Sequence, residues 1–416
     1  MALIARRRFI HYLIHGMCSR IWAPTLLLVV LTNSFSRSWA WNYEWLWAMD
    51  TLSFSSIFLV PLCAGIAAFE AGRLAVAREL HLVSPRATWA VVRVGVGVWV
   101  VAAVMILLSF LVISGCVLYQ TSGLIPRLSD LLPVPLLLII VGAGCSAGVL
   151  AGWCFPSKLT PGLTALGVFA LMMSAYIIGR GTFSGLVSVG SATGSLVGLR
   201  LSLRLVLWQC LFYGALTSGM LWLTRSRTTL ASWWHHGVTA LCAVAVVAAS
   251  GGVLGAGERF VNVPVDERVC AGHEPQICLL PGYSARAEEM RAALKPYFNA
   301  LSQAGVDVPD KVIQTDSPTD FETLQVGSLD VLDLDDERII NALIDWYSKD
   351  DCAGWGSQED RGSSPSAVFW DWMALRVDGA RMHHSSDVEW ETMGFEQQDE
   401  IFRQAVDRLS SECRKY

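Results

Sequence analysis

Apolar residues fill seven stretches of helical length, at about 21–37, 52–71, 94–117, 133–155, 159–179, 202–224 and 236–255. A bilayer core about 30 Å thick needs roughly 20 apolar residues in helical form, so each stretch predicts a membrane span, the first being short. Pro61, Pro133 and Pro135 lie inside spans or at their ends, where lipid-embedded helices tolerate proline. The first stretch, with Arg6, Arg7 and Arg8 before it and Ser38-Trp39-Ala40 after it, is also readable as a signal peptide. Past residue 256 the pattern changes. ERFVNVPV (258–265), ICLLP (277–281), KVIQT (311–315) and LDVLDLD (329–335) predict strands. Residues 284–305, 336–350, 366–379 and 394–413 have helical period, with Ser284 as the cap of the first, Gly305 as its stop and Pro296 as a point of strain. The predicted fold is a multi-span α-helical membrane protein of about seven transmembrane helices, residues 21–255. An interfacial helix (1–20) precedes it and a C-terminal α+β extracytoplasmic domain (256–416) follows.

Charge sharpens this division. Residues 1–255 carry 16 Lys and Arg against 5 Asp and Glu, whereas residues 256–416 carry 15 against 31. With the N-terminus inside, eleven of the basic residues of the first part fall on the cytoplasmic side and five outside, which satisfies the positive-inside rule. Seven spans then place the acidic domain outside the cell. Four of the 11 cysteines lie in that domain: Cys270, Cys278, Cys352 and Cys413. An even number in an exported domain predicts disulfides. Cys270–Cys278 closes a short loop through Gly272 and Pro275, and Cys352–Cys413 ties the last helix back to an earlier one; free thiols are the alternative.

Local patterns add detail. Residues 2–19 mix leucine and isoleucine with three arginines, the composition of an interfacial helix on anionic lipid. WAWNYEWLW (39–47) predicts an aromatic belt at the membrane surface, or an aromatic platform for a substrate. FEAGRLAVARELHLVSPR (69–86) interleaves Glu70, Arg73, Arg78 and Glu79 with leucine and alanine, which predicts a short amphipathic helix on the inner face, suited either to a partner protein or to plain solvation. Gly144, Gly148 and Gly152 recur every four residues in the fourth span, a stripe that lets helices approach closely in lipid, with a substrate path along this face as the other reading.

Catalytic chemistry finds little support. No Ser-His-Asp or Cys-His arrangement can be placed. His383 and His384 adjoin Asp387, Glu389 and Glu391, but neighbouring histidines point apart on most backbones, so no metal site is assigned. The acidic run Asp330, Asp333, Asp335, Asp336 and Glu337 lacks the glycine turn of a calcium loop and reads as a solvated face. No GxxxxGK[ST] pattern occurs, so the polypeptide itself is not expected to bind ATP. Few ionisable groups fall inside the spans, which disfavours a proton-coupled carrier.

Taken together, the interfacial N-terminal helix, the charged helix after the second span and the compact six-span unit resemble the permease subunits of type-2 ABC exporters. AAFEAGRLAVARELHLVSPR (67–86) is similar to the Glu-x-x-Arg, Arg-Glu-Leu and terminal Arg pattern of bacterial, especially actinobacterial, permeases of this kind. The tail, with VCAGHEPQICLLPG (269–282), WDWMALR and FEQQDEIFRQAVDRLSSEC, looks like that of a subset carrying an exported domain. The resemblance implies a subunit of the bacterial cell membrane that works with a separate ABC ATPase, which would hold ATP and magnesium, and with a second permease subunit, identical or related. It also implies outward movement of a hydrophobic, lipid-like or peptide-like substrate, with Glu70, Arg73, Arg78, Glu79 and Arg86 as coupling residues. No cofactor in this chain and no nucleic acid is implied. A membrane protein that displays a sensor or binding domain without transporting anything is the other reading.

Overall fold

The computed structural model describes residues 21–37, 39–76, 87–121, 124–178, 186, 190, 195–196, 199–226, 233–262, 268–315, 323–332, 334–348, 364–377, 386 and 388–412. The chain divides into two compact units, Met1–Pro264 and Val265–Tyr416.

The first unit is almost wholly helical. Its elements are α1 (Ala23–Phe35), α2 (Trp45–Phe54), α3 (Ser56–Val76), α4 (Ala87–Gln120), α5 (Pro133–Cys154), α6 (Thr160–Ile178), β1 (Leu199–Leu201), α7 (Leu203–Ser226), α8 (Trp233–Leu254) and β2 (Phe260–Asn262). Among the described residues, six helical stretches are long and apolar enough to cross a bilayer: Trp45–Ala75, Val91–Gln120, Leu128–Cys154, Thr160–Ile177, Leu203–Arg225 and Gly237–Leu254. That makes the chain a multi-span helical membrane protein by helix length and composition. The expected seventh, α1, has only 13 residues, about 20 Å at 1.5 Å per residue, short of a 30 Å core.

The second expected span is longer than its apolar run. Helix begins at Trp45 and pauses only at Ser55, whose N–H bonds Leu52 O at 3.1 Å. It then continues to Val76, past Glu70 and Arg73. These two residues thus sit in the last turns of the span itself and not in a separate loop helix. The aromatic stretch before it is also repositioned. Trp41, Trp45 and Trp47 are buried in protein, and the indole N–H of Trp45 donates to Leu124 O at 2.7 Å. They form neither a lipid-facing belt nor an open platform. The described part of the interfacial-helix prediction is nil, since residues 1–20 lie outside the described residues.

α3 is the hub. It packs against α4, α5 and α6, while α7 packs against α5 and α8. Lipid chains are as apolar as leucine, so close packing rather than hydrophobic burial holds such helices together.

The second unit behaves as a water-facing domain should. Its elements are β3 (Val269–Ala271), β4 (Gln276–Leu279), α9 (Ala287–Gln303), β5 (Lys311–Gln314), β6 (Leu324–Val326), α10 (Ser328–Leu332), α11 (Asp336–Ser348), α12 (Pro365–Arg376) and α13 (Phe395–Glu412). The sheet order is β3-β4-β5-β6. β3 runs antiparallel to β4, and β4, β5 and β6 run parallel. Gln314, fully buried at the end of β5, accepts Leu280 N–H at 3.0 Å and donates to Ser328 Oγ at 3.0 Å, joining strand, loop and α10. The helices form an aromatic core. Trp372 and Phe402 stack with ring centroids 3.8 Å apart, and Phe369 joins Phe402 to Tyr347. Tyr297 donates its hydroxyl to Asp336 at 2.6 Å, and burial with that carboxylate pushes its ionisation above the ordinary tyrosine range.

Three predicted elements differ. ERFVNVPV contributes β2, which pairs with β1 of the first unit, so the unit boundary falls at Pro264 and not at 255. LDVLDLD is helical over Ser328–Leu332 because Asp330 turns back to accept Gly327 N–H at 2.9 Å. The strand lies just before it, at Leu324–Val326. The helix expected from Ser284 begins as a 3-10 turn, Pro281–Arg286, in which Ser284 Oγ bonds Pro281 O. It becomes α-helical at Ala287, runs through Pro296 without a break and stops before Gly305, whose φ is +71°.

Candidate functional site

The seam between α3 and α5 is built from residues with almost no side chain. An added Cβ on Gly148 would stand 2.0 Å from Ala64 O, one on Gly152 2.1 Å from Ala68 O, and one on Gly144 2.6 Å from a Val60 methyl. The stripe therefore lays the two backbones against each other, with Ala64 and Ala68 as its counterpart on α3. Gly65 does the same toward α6, where a Cβ would meet Ala165 at 3.1 Å and Pro161 O at 3.2 Å.

At one end of this seam α3 carries a charged pair. Glu70 is 4% exposed on the helix face turned inward. Arg73, one turn on, reaches it at 3.6 Å while its own side chain remains 59% exposed. The guanidinium also lies 5.8 Å from the Phe69 ring. Such an arrangement anchors a cation at the end of a span and leaves most of it available to a partner. Of the five predicted coupling residues, the structure brings Glu70 and Arg73 together; Arg78, Glu79 and Arg86 lie outside the described residues.

The opposite end holds a polar cluster that the sequence did not announce. Asp50 on α2 has no exposed surface and pairs with Arg259, five residues past the end of α8. Glu44, just before α2, accepts Ser195 Oγ at 2.6 Å and Leu196 N–H at 2.8 Å. Gly190, at φ +66°, sits so close that a Cβ would stand 1.9 Å from Asp50 O. β1 and β2 close the arrangement, with Arg200 opposite Val261 and Ser202 N–H bonded to Arg259 O at 2.8 Å. Two buried acids thus gather the segment before α7 and the segment after α8 onto α2. A buried charge is costly unless paired, so these contacts fix where both segments lie. The available signal was the scarcity of acids. Asp50 is one of five in 255 residues, and it adjoins a span.

Between the two ends lies a cavity of ≈ 530 Å³. α6 is held by α3, and α7 by α5; the cavity occupies the space they leave. Val168, Met172 and Ala175 line one side, Phe212, Leu216 and Met220 the other, and Val60, Ala143, Gly144 and Ala147 the floor. The hydroxyl of Tyr213, also in the wall, donates to Leu186 O. Apart from Gly144, no residue here marks itself in the sequence, because apolar side chains around a void look like those that pack.

In the second unit Cys270 and Cys278 form a disulfide across paired positions of β3 and β4. Cys352 and Cys413 lie outside the described residues, as do His383 and His384. Among the described residues no group of His, Cys, Asp and Glu is arranged to hold a metal ion. Comparisons with protein families, with curated proteins and with solved structures gave no match.

Proposed function

We propose that this chain is the membrane-spanning subunit of an exporter of the type-2 ABC kind, driven by a separate ATPase and paired with a second permease subunit. The observation that carries the reading is the rigid α3–α5 seam with a charged pair at its end. Backbone contact at Gly148 and Gly152 leaves no side chain to absorb a displacement. A push on the segment that follows Val76 moves α3 and α5 as one body, and with α5 moves one wall of the cavity. In this mechanism Glu70 holds Arg73 in place, and Arg73, with Arg78, Glu79 and Arg86 beyond it, receives the ATPase. ATP and magnesium belong to that partner, and this chain carries out no covalent chemistry.

The same reading assigns sides. Five of the six long spans lie between Val76 and Pro264, and an odd number of crossings puts the Arg78 segment and the disulfide-bearing unit on opposite sides of a bacterial plasma membrane, whatever α1 does; with the ATPase at Arg78 inside, that unit lies outside. The oxidising exterior suits Cys270–Cys278.

Charge reversal at Arg73 and Arg78 together tests the coupling role. Affinity-purified wild-type chain from native membranes is expected to bring down an ABC ATPase, and Arg73→Glu/Arg78→Glu is expected to lose it or to leave ATP hydrolysis uncoupled. Retention of the ATPase with unchanged transport overturns the assignment. Single cysteines at Arg78 and His273, probed on intact cells with an impermeant reagent, test the sides: only the latter is expected to label.

A further inference from the structure

We infer that the cavity between α6 and α7 binds one acyl chain of a membrane lipid. This deepens the exporter reading and, where it joins that reading, makes the cargo acyl-bearing rather than peptidic. Interiors are close-packed and hold few voids larger than a water molecule. A space of ≈ 530 Å³ is instead in the range of small-molecule sites. Its walls offer methyl, methylene, thioether and phenyl groups. The Tyr213 hydroxyl is committed to Leu186 O, which leaves the Ser174 hydroxyl as the other polar side-chain group of the lining. A peptide would bring one N–H and one C=O per residue into a space with a single serine hydroxyl to receive them. A hydrocarbon chain brings none.

The dimensions agree. Lining residues run from Phe212 to Met220 along α7, about 12 Å at 1.5 Å per residue. One leaflet of a core about 30 Å thick is about 15 Å deep. The cavity spans the middle of the unit: Val60 in the first turns of α3 and Val168 to Ala175 on α6 reach toward the Asp50 end, whereas Phe212 to Met220 lie farther from that end, in the later turns of α7. A chain lying parallel to the helices matches its length. Access is lateral. The outward faces of α6 and α7 expose Leu163, Leu166, Leu207 and Leu211, so a chain passes from bilayer to cavity without leaving an apolar medium. Small residues keep the space open: Ala143, Gly144 and Ala147 on the floor and Ala175 in the wall.

The test uses the full chain in phosphatidylcholine vesicles with a trace of phosphatidylcholine bearing a photoreactive group near the end of one acyl chain. After irradiation, adducts are expected to concentrate on the peptides of Val168–Ala175 and Phe212–Met220, and a long-chain single-tailed phosphatidylcholine is expected to compete while an apolar peptide does not. Ala147→Phe and Ala175→Phe, which fill the space, are expected to lower labelling, by about tenfold for each two methylenes excluded. Leu111→Phe, on the exposed face of α4, leaves it unchanged. Adducts spread evenly over the outward faces of α4 and α8, labelling insensitive to both cavity variants, competition by the peptide, or cross-links showing a second copy seated in the space would each overturn the inference. Should the filled variants not accumulate, the wild-type map and competition decide alone. None of these readouts needs an ATPase, so failure of the coupling experiment and failure of this one are distinguishable.

Discussion

The two units bury opposite things. In Val265–Tyr416 the hidden groups are mostly apolar side chains with large rings among them, and apart from Asp371, which accepts Ser386 N–H, charges gather toward the surface in short-range pairs such as Arg286–Glu289 and Arg403–Glu400. In Met1–Pro264 large apolar side chains such as Leu163, Leu211 and Leu241 are exposed, while glycines, Glu44, Glu70 and Asp50 are buried. Each arrangement follows from its surroundings. In water, burial of apolar area is the driving force, so bulk goes inside. In lipid that force between helices vanishes, and closeness of backbones and pairing of polar groups decide which faces meet.

The contrast can be broken where it is strongest. Gly148→Leu drives a branched side chain into Ala64 O, and loss of folded protein from membrane extracts is expected; near-normal accumulation would mean that the seam is not a constraint. Asp50→Asn leaves the Arg259 cation buried without its counter-charge, a change expected to cost about 3–5 kcal/mol. The double variant Asp50→Leu/Arg259→Leu should regain much of it, read as thermal loss of monodispersity in detergent. In the other unit Phe402→Ala removes a ring buried between Trp372 and Phe369 and is expected to cost about 3–5 kcal/mol. It should lower that unit's own melting while leaving acyl-chain labelling of the first unit unchanged. The smallest effect comes from Cys270→Ser/Cys278→Ala. It frees a loop with a sequence separation of 8, and a destabilisation of roughly 2–3 kcal/mol is expected from the unfolded chain's regained freedom.

Legibility in the sequence followed the same division. The amphipathic period of residues 336–350 and 394–413 pointed to α11 and α13, with Phe402 and Leu409 turned inward, because water enforces the pattern. Apolar length located the long spans. It misjudged the start of the second, since Asp50 and Thr51 read as a span's polar edge, whereas the helix begins at Trp45 and buries both. Within spans only the small residues at 144, 148 and 152 stood out against a uniformly apolar surface, and they are the ones in backbone contact. Pairings across long separations were illegible. Nothing near Asp50 names Arg259, 209 residues on, and strand-like 258–265 gave no sign that its partner was Leu199–Leu201. The cavity was illegible for a different reason: a void is a property of arrangement, and its lining has ordinary composition.

The β1–β2 pairing has a mechanical consequence. Leu199–Leu201 enters α7 and Phe260–Asn262 leaves α8, so the two helices and the pairing form a closed loop whose ends are bolted to α2 through Arg259. Tension on the tail beyond Asn262 is therefore borne in shear by three facing residues and one ionic contact. It does not peel α8 from its neighbour, and the force arrives instead on α2, which leads into the hub helix α3.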